Sequence, residues 1–123
     1  MSERADGGQR SFAELQGEVW QMELDHFVTH EDESPYYFAW RMVCEAGELG
    51  NTLNKLVAYK KGSRNVLLED LKKEFGDILV FICLAASQLD IDLQQCLETV
   101  IRRNKQRVEL GYYGNSQKER GKL

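Results

Sequence analysis

The chain has few of the residues that interrupt helices or close β-hairpins. Its 123 residues include one proline. It has no Asn-Gly or Asp-Gly turn flanked by alternating apolar residues, and no segment in which apolar and polar residues alternate for long. Hairpins and half-buried strands depend on these patterns, so their absence argues against a β-sheet. The sequence therefore predicts an all-α fold.

Cysteine is also scarce, and it lacks the spacing of a metal site. The three cysteines, Cys44, Cys83 and Cys96, form no CxxC pair and have no histidine at zinc-ligand spacing. Each falls within a helical pattern, where a free cysteine usually behaves as a small apolar residue. We expect all three to be buried thiols in a reducing compartment.

The chain lacks both a basic excess and a long apolar segment. Its net charge of −4 argues against a surface for nucleic acid polymers, but a small phosphorylated ligand held through metal ions remains compatible. The longest apolar run, Ile78 to Ala86, has nine residues. A membrane-spanning helix needs about 20. Residues 1–10 contain no apolar signal region. We expect a cytoplasmic protein with no membrane partner.

Four helix-forming segments follow one another, each with its own boundary signals. Short connections between them, including an acidic one at His30–Glu33, predict a compact bundle of largely antiparallel helices in one domain over residues 11–113. Residues 1–10 and 114–123 are polar and are expected to be loose. The predicted helices run from the N-cap Ser11 to about Phe27, from Pro35 to about Lys61 before Gly62, from about Asn65 to Leu89, and from the N-cap Asp92 to Leu110 before Gly111.

The second half of the third helix, ILVFICLAA, is apolar around nearly its whole circumference. A helix on the surface of a monomer would show only an apolar stripe. Burial against a second subunit is the simplest explanation and predicts a homodimer or homotetramer. A central helix covered by the other three and the tails is the alternative.

Two acidic pairs at helical spacing are the most informative feature, Glu45-x-x-Glu48 and Glu74-x-x-Asp77. Residues three apart lie about 60° from each other around a helix, so each pair points in one direction. If the two helices pack together, four carboxylates converge and repel unless cations lie among them. An all-oxygen site suits Mg²⁺, with Mn²⁺ as the alternative ion.

The competing interpretation is that these acids form a solvated stripe. The repetition of the motif on consecutive helices, with apolar residues directly after it, argues against this. Arg41 and Thr52 share the helical face of the first pair. Other acids lack the apolar context and are expected to be surface charges: Glu18, Glu23, Glu31, Glu69 and Glu98.

The stretches CEAGELGNTLNKL and KKEFGDILVFICLAASQLDIDLQQCLETVIRRNKQR resemble the MazG-type all-α nucleotide pyrophosphohydrolases, over roughly residues 36–110. That family's pattern is ExxE, a spacer and ExxD, followed by a helix with basic residues and an asparagine. The resemblance implies an oligomeric helical bundle that binds Mg²⁺. It also implies cleavage of a nucleoside triphosphate to the monophosphate and pyrophosphate, which would clear unwanted or surplus nucleotides.

Carried over residue by residue, the resemblance implies four metal ligands, of which Glu45 or Glu48 would also hold or deprotonate the attacking water. The ligands are Glu45, Glu48, Glu74 and Asp77. Asn104 and Arg107 match the family's asparagine and following basic residue, and these would bind phosphate.

This chain departs from the family pattern at two positions. A lysine four residues before the asparagine is replaced by Val100, so Arg102, Arg103 or Lys105 is expected to supply the charge. An extra glutamate that often begins the first motif is replaced by Cys44.

Base recognition is assigned to aromatic residues, with plain core packing as the alternative. Trp20 and either Phe38 or Trp40 are the candidates for stacking on a base. His26 and His30 have no spacing that suggests a metal. The sequence leaves open whether Tyr112 and Tyr113 close over the site or pack on a neighbour.

Two other functions remain open at this point. A related all-α enzyme could act on phosphoribosyl-ATP or on pyrimidine deoxynucleotides. A non-catalytic helical interaction module would use the acids only as surface charge.

Overall fold

The computed structural model describes residues 8–27, 34–58 and 64–114. In these ranges every regular element is a helix, which confirms the predicted all-α class. The helices are α1 (Phe12–His26), α2 (Pro35–Ala58), α3 (Arg64–Gln88) and α4 (Leu93–Glu109). Several predicted features lie outside the described residues: the acidic connection with His30 and Glu31, the end of the second helix at Lys61 and Gly62, and most of both polar termini.

The predicted N-caps of α1 and α4 are both confirmed. The Ser11 hydroxyl accepts a 3.0 Å hydrogen bond from the Glu14 backbone N–H, and the Glu14 carboxylate accepts one of 3.0 Å from the Ser11 N–H. The Asp92 carboxylate accepts hydrogen bonds from the backbone N–H groups of Gln94 and Gln95, at 2.9 and 3.3 Å. Each cap satisfies amide groups that the first helical turn leaves without a partner.

The end of α4 is also the predicted one. Gly111 has φ +72°, a left-handed conformation that a residue without Cβ adopts at little cost. Its N–H donates to the Val108 carbonyl at 3.1 Å, and the Tyr112 N–H donates to the Arg107 carbonyl at 2.8 Å. This pair of bonds is a Schellman motif, which stops the helix at this glycine.

The helices pack unequally. The most extensive packing joins α2 to α3, α1 packs against α3, and α4 contacts α1. No residue of α4 is buried. Three helices, α1, α2 and α3, therefore form the compact part of the predicted bundle. The fourth, α4, packs at its side. The apolar core of the described residues consists of Phe38, Leu67, Leu71, Cys83, Leu84 and Ala86.

Gln16 on α1 holds the corner between α3 and α4. Its buried side-chain amide donates to the Ser87 hydroxyl at 3.1 Å and to the Ile91 carbonyl at 2.8 Å. Its carbonyl oxygen accepts a 2.9 Å hydrogen bond from the Leu93 backbone N–H. One side chain therefore satisfies two backbone groups at the point where the chain turns into α4.

Several large apolar side chains of α3 remain accessible. Phe75 is 51% exposed and Leu79 is 48% exposed. The other three helices therefore leave part of α3 uncovered. The tails, which the alternative of a covered central helix also includes, lie largely outside the described residues. Among the described residues no helix has the length and apolar character needed to cross a membrane.

The predicted burial of Cys44 and Cys96 is wrong, and so is the predicted exposure of Glu23. Cys83 is buried, and burial raises the pKa of its thiol, but Cys44 is only half-buried and Cys96 is exposed. Cys96 lies on α4, which contacts α1 but has no buried residue. Conversely, Glu23, expected as a surface charge, is buried. It shares a cleft with Tyr37, Arg41 and other residues of α2 and α3, so the packing of α1 removes it from water.

Candidate metal centre

The two acidic motifs lie along the line of contact between α2 and α3. We call this line, with Glu45, Glu48, Glu74 and Asp77, the seam. Arg41, early in α2, lies over the ring of Phe81, late in α3. Thr52, later in α2, contacts Glu74, earlier in α3. The two helices are therefore antiparallel, and Glu45 and Glu48 fall between these contacts, facing the stretch of α3 that carries Asp77.

Glu45 is the most perturbed carboxyl group of this seam. It is only 8% exposed. Burial raises the pKa of the Glu45 carboxyl, and repulsion from the charges of Glu48 and Asp77 and a hydrogen bond with the Glu48 side chain raise it further, whereas Arg41 lowers it. Asp77 belongs to the other helix, so the two motifs act on each other electrostatically. A buried acid that is repelled by two others is a group whose charge a cation would stabilise.

Arg41 is the cation nearest to Glu45. Its Nη2 atom lies 3.5 Å from Glu45 Oε1, and its guanidinium carbon lies 5.3 Å from the centre of the Phe81 ring. The ring holds the guanidinium beside the carboxylate by a cation–π contact. The sequence placed Arg41 on the face of the first motif but assigned it no role; its position one turn before Glu45 was the available signal.

Glu74 is held by Thr52 and is incompletely satisfied. The Thr52 hydroxyl donates a 2.8 Å hydrogen bond to Glu74 Oε1. The other oxygen, Oε2, is buried and has no hydrogen-bond partner. A buried carboxylate oxygen without a partner is costly, and a cation is one of the few groups that can satisfy it.

The four acids do not form a closed ligand set as they lie. In the part of the chain that the structure describes, no group of three or more Asp, Glu, His or Cys side chains is arranged to hold a metal ion. Glu48 and Asp77 are exposed, whereas Glu45 is buried and Glu74 is half-buried. The acids thus share one seam of the helix pair without converging on one point.

The structure does not bring the basic residues of α4 to the acids. Asn104, Arg103 and Lys105 are exposed, and Arg103 donates to the Asn104 side-chain oxygen at 3.4 Å. Arg107 lies 5.3 Å from the centre of the Tyr112 ring. Across the described ranges, no hydrogen bond or ion pair joins any of these α4 side chains to the four acids.

The candidate base-binding aromatics separate into core and surface. Phe38 is fully buried and packs edge-on against Tyr37, with ring centres 5.3 Å apart. A ring with no exposed face cannot stack on a base, so Phe38 is a core residue. Trp40 is 66% exposed. Trp20 is half-buried and lines a cleft of about 320 Å³ beside Gln16, at the corner of α3 and α4.

A second cleft lies much closer to the acids and was missed from the sequence. It has a volume of about 250 Å³ and is lined by Glu23, Phe27, Tyr37, Arg41, Val80, Phe81 and Leu84. Arg41 belongs both to this cleft and to the contact with Glu45. No local pattern marks Glu23 as part of it, because its burial depends on how α1 packs on α3.

No family model matches the chain, and no solved structure matches it. It is 33% identical over 86 residues to the Gene 37 protein of Mycobacterium phage L5, and the match covers 69% of this chain and 67% of that protein. The chain belongs to the family of this phage Gene 37 protein. The name records a gene number and no chemistry. For this member of the Gene 37 protein family, any inference about activity therefore depends on the acidic seam between α2 and α3.

Proposed function

We propose that this protein is a Mg²⁺-dependent nucleoside triphosphate pyrophosphohydrolase with a MazG-like fold. It would cleave a nucleoside or deoxynucleoside triphosphate to the monophosphate and pyrophosphate, and so remove unwanted nucleotides from the cellular pool. The observation that carries the proposal is the contact between the two acidic helices, where the Thr52 hydroxyl of α2 donates to Glu74 of α3 and Arg41 lies between Glu45 and the Phe81 ring. It supports a shared cation site for the two acidic motifs.

The residues present fit a hard divalent cation. All four proposed ligands supply oxygen atoms, which suit Mg²⁺ or Mn²⁺. Glu74 Oε2 is a buried oxygen without a hydrogen-bond partner, and such an atom is stabilised by a cation. Glu48 and Asp77 are exposed and would have to turn toward Glu45 and Glu74 by changing rotamer to complete the ligand set.

The protein's own side chains would then divide the work. When bound, the ion would neutralise charge on the triphosphate and lower the pKa of a water molecule that it binds. Glu48, which is exposed, would orient a water molecule or accept its proton. Arg41 is the nearest cation to the acids and can contact a phosphate oxygen. In α4, Asn104, Arg103, Lys105 and Arg107 remain candidates for phosphate binding, and they would have to approach the acids from another position or from another subunit.

The proposed active form is a homodimer or homotetramer. The exposed apolar residues of α3, with Phe75 and Leu79 one turn apart, support an interface on this helix. An interface there would remove these side chains from water. They lie on α3, the same helix that carries Glu74 and Asp77.

A substrate panel tests the proposal. Canonical and modified nucleoside triphosphates, pyrimidine deoxynucleoside di- and triphosphates and phosphoribosyl-ATP are incubated with the full chain and Mg²⁺, and pyrophosphate and phosphate release are measured separately. The proposal predicts pyrophosphate from at least one triphosphate. Release of phosphate only, or turnover of phosphoribosyl-ATP only, would assign the same site to a different reaction.

Matched variants separate catalysis from a non-catalytic module. Glu48→Gln should remove most of the activity while sparing the fold, because Glu48 is exposed and its change costs little packing. Glu98→Gln, a change of an exposed acid on α4, should retain wild-type activity. If no member of the panel is hydrolysed by the wild-type chain, the proposal is wrong.

A further inference from the structure

Thr52 is a buried residue with its hydroxyl directed at one of the proposed metal ligands. It is 8% exposed and lies one helical turn after Glu48. Its Oγ1 atom donates a 2.8 Å hydrogen bond across the α2–α3 seam to Glu74 Oε1. A threonine hydroxyl has a single proton to donate, and this one is committed to Glu74.

The hydrogen bond leaves the two oxygens of Glu74 in different situations. Oε1 has a partner in Thr52, whereas Oε2 is buried with no hydrogen-bond partner. Fixing one oxygen restricts the rotation of the carboxylate and so determines where the other oxygen lies. A carboxylate held in this way keeps one acceptor free at a defined position in the seam that contains Glu45 and Asp77.

We infer that Thr52 is a positioning residue that orients the Glu74 carboxylate so that Oε2 is available to a divalent cation. The inference rests on the proposed function, since it assigns a role to Thr52 through a metal ligand. Thr52 itself does not touch the substrate. Groups that hydrogen-bond a metal ligand typically change metal affinity about 10- to 100-fold when they are removed.

The direct test is Mn²⁺ binding to the purified full chain without nucleotide. Binding is measured from the decrease in the electron paramagnetic resonance signal of free Mn²⁺. Thr52→Val keeps the branched shape and removes the hydroxyl, and it should weaken Mn²⁺ binding by about 10- to 100-fold. Thr52→Ser keeps the hydroxyl and should restore affinity toward that of the wild type. Thr99→Val makes the same chemical change at an exposed position on α4 and should leave affinity unchanged.

A second comparison separates positioning from a purely structural role. In a Glu74→Gln background the metal-ligating carboxylate is absent, so adding Thr52→Val should cause little further loss of Mn²⁺ affinity. A structural role would instead lower thermal stability by similar amounts in both backgrounds and leave the affinity of the folded protein unchanged. If Thr52→Val does not fold, Thr52→Ala replaces it, since it also lacks the hydroxyl and fills less space.

The outcomes distinguish this inference from the proposed function. If the wild type binds Mn²⁺ and hydrolyses triphosphates, and Thr52→Val binds Mn²⁺ equally well, the positioning role is wrong and the proposed function stands. If the wild type neither binds Mn²⁺ nor hydrolyses any nucleotide, both are wrong.

Discussion

The guanidinium group of Arg41 lies 3.5 Å from the Glu45 carboxylate while resting over the ring of Phe81 on the neighbouring helix. This contact ties the first acidic motif to α3 and places a fixed positive charge beside the most perturbed acid of the seam. The pair is half-buried, so its stabilisation is less screened than that of a surface ion pair. The ionised form of Glu45 is nevertheless disfavoured overall. Burial and the charges of Glu48 and Asp77 raise the pKa of its carboxyl group by more than Arg41 lowers it.

The first prediction concerns the dependence of stability on pH. The pKa of Glu45 is raised in the folded state above its ordinary value of 4.5. At a pH well below 4.5, Glu45 is therefore neutral in both the folded and the unfolded chain. As the pH rises through that value, the unfolded chain releases the proton first, and the Glu45 contribution to the free energy of unfolding falls. Glu45→Gln should therefore have a higher Tm than the wild type at pH 8 in EDTA, with the difference shrinking toward pH 4.

Thermal denaturation monitored by circular dichroism at the two pH values measures this difference. Adding Mg²⁺ at pH 8 should raise the Tm of the wild type more than that of Glu45→Gln, because only the wild type keeps the full set of acids. A Tm difference that is independent of pH would show that the pKa of the Glu45 carboxyl group is not raised by burial and repulsion in the folded state.

The second prediction concerns the corner that Gln16 holds. Gln16→Ala removes three hydrogen bonds and leaves the Leu93 N–H and the Ile91 carbonyl without their partner. The expected loss is about 2 kcal/mol in the free energy of unfolding. Gln21→Ala on the same helix removes only an exposed side-chain hydrogen bond to Asp25 and should cost far less. Urea unfolding of both variants makes the comparison, and equal losses would show that Gln16 does not anchor α4.

The third prediction concerns thiol reactivity. Cys96 is exposed and should react rapidly with a disulfide reagent such as DTNB. Cys83 is buried with a raised thiol pKa, so it should react only as the protein unfolds. Cys96→Ser should remove one thiol equivalent from the fast phase, and Cys83→Ser should leave its amplitude intact; half-buried Cys44 accounts for any fast reaction that remains. A fast-phase amplitude that is unchanged in Cys96→Ser would mean that the Cys96 thiol is covered.

The fourth prediction concerns the proposed oligomer. Leu79→Glu introduces a charge on the exposed apolar side of α3 and should shift a dimer or tetramer toward smaller species in light scattering coupled to size-exclusion chromatography. Val57→Glu alters an apolar residue that is 88% exposed near the end of α2, and it should leave the assembly unchanged. A wild-type chain that elutes as a monomer at high concentration would contradict the proposed interface.

Features set by neighbouring residues in the chain were predictable from the sequence. Ser11 with Glu14, Asp92 and Gly111 fix helix ends through bonds within a few residues, so local patterns suffice to find them. The antiparallel packing of the two helices that carry the acidic motifs was predictable, because short connections favour antiparallel neighbours. The expected convergence of the four carboxylates is not seen, since Glu45 is buried whereas Glu48 and Asp77 are exposed.

Features set by packing between helices were not predictable. Glu23 and Phe38 are buried by the approach of other helices, and neither has a local signal that separates it from a surface acid or a ligand-binding ring. Cys96 shows the reverse error: its helical pattern resembles that of Cys83, but α4 lies beside α1 and buries nothing. The contact of Thr52 with Glu74 depends on the register of α2 against α3, which the sequence does not state.

The central claim is that the acids of α2 and α3 bind one or more divalent cations together. A crystal structure of the full chain grown with Mn²⁺, with anomalous scattering to locate the ion, measures this directly. We expect a peak in the α2–α3 seam with ligand oxygens at about 2 to 2.5 Å, supplied by Glu45, Glu48, Glu74 and Asp77 or by water molecules hydrogen-bonded to these carboxylates. Diffraction from Mn²⁺-saturated crystals with no peak in this seam, and with the four carboxylates directed apart into solvent, would contradict it.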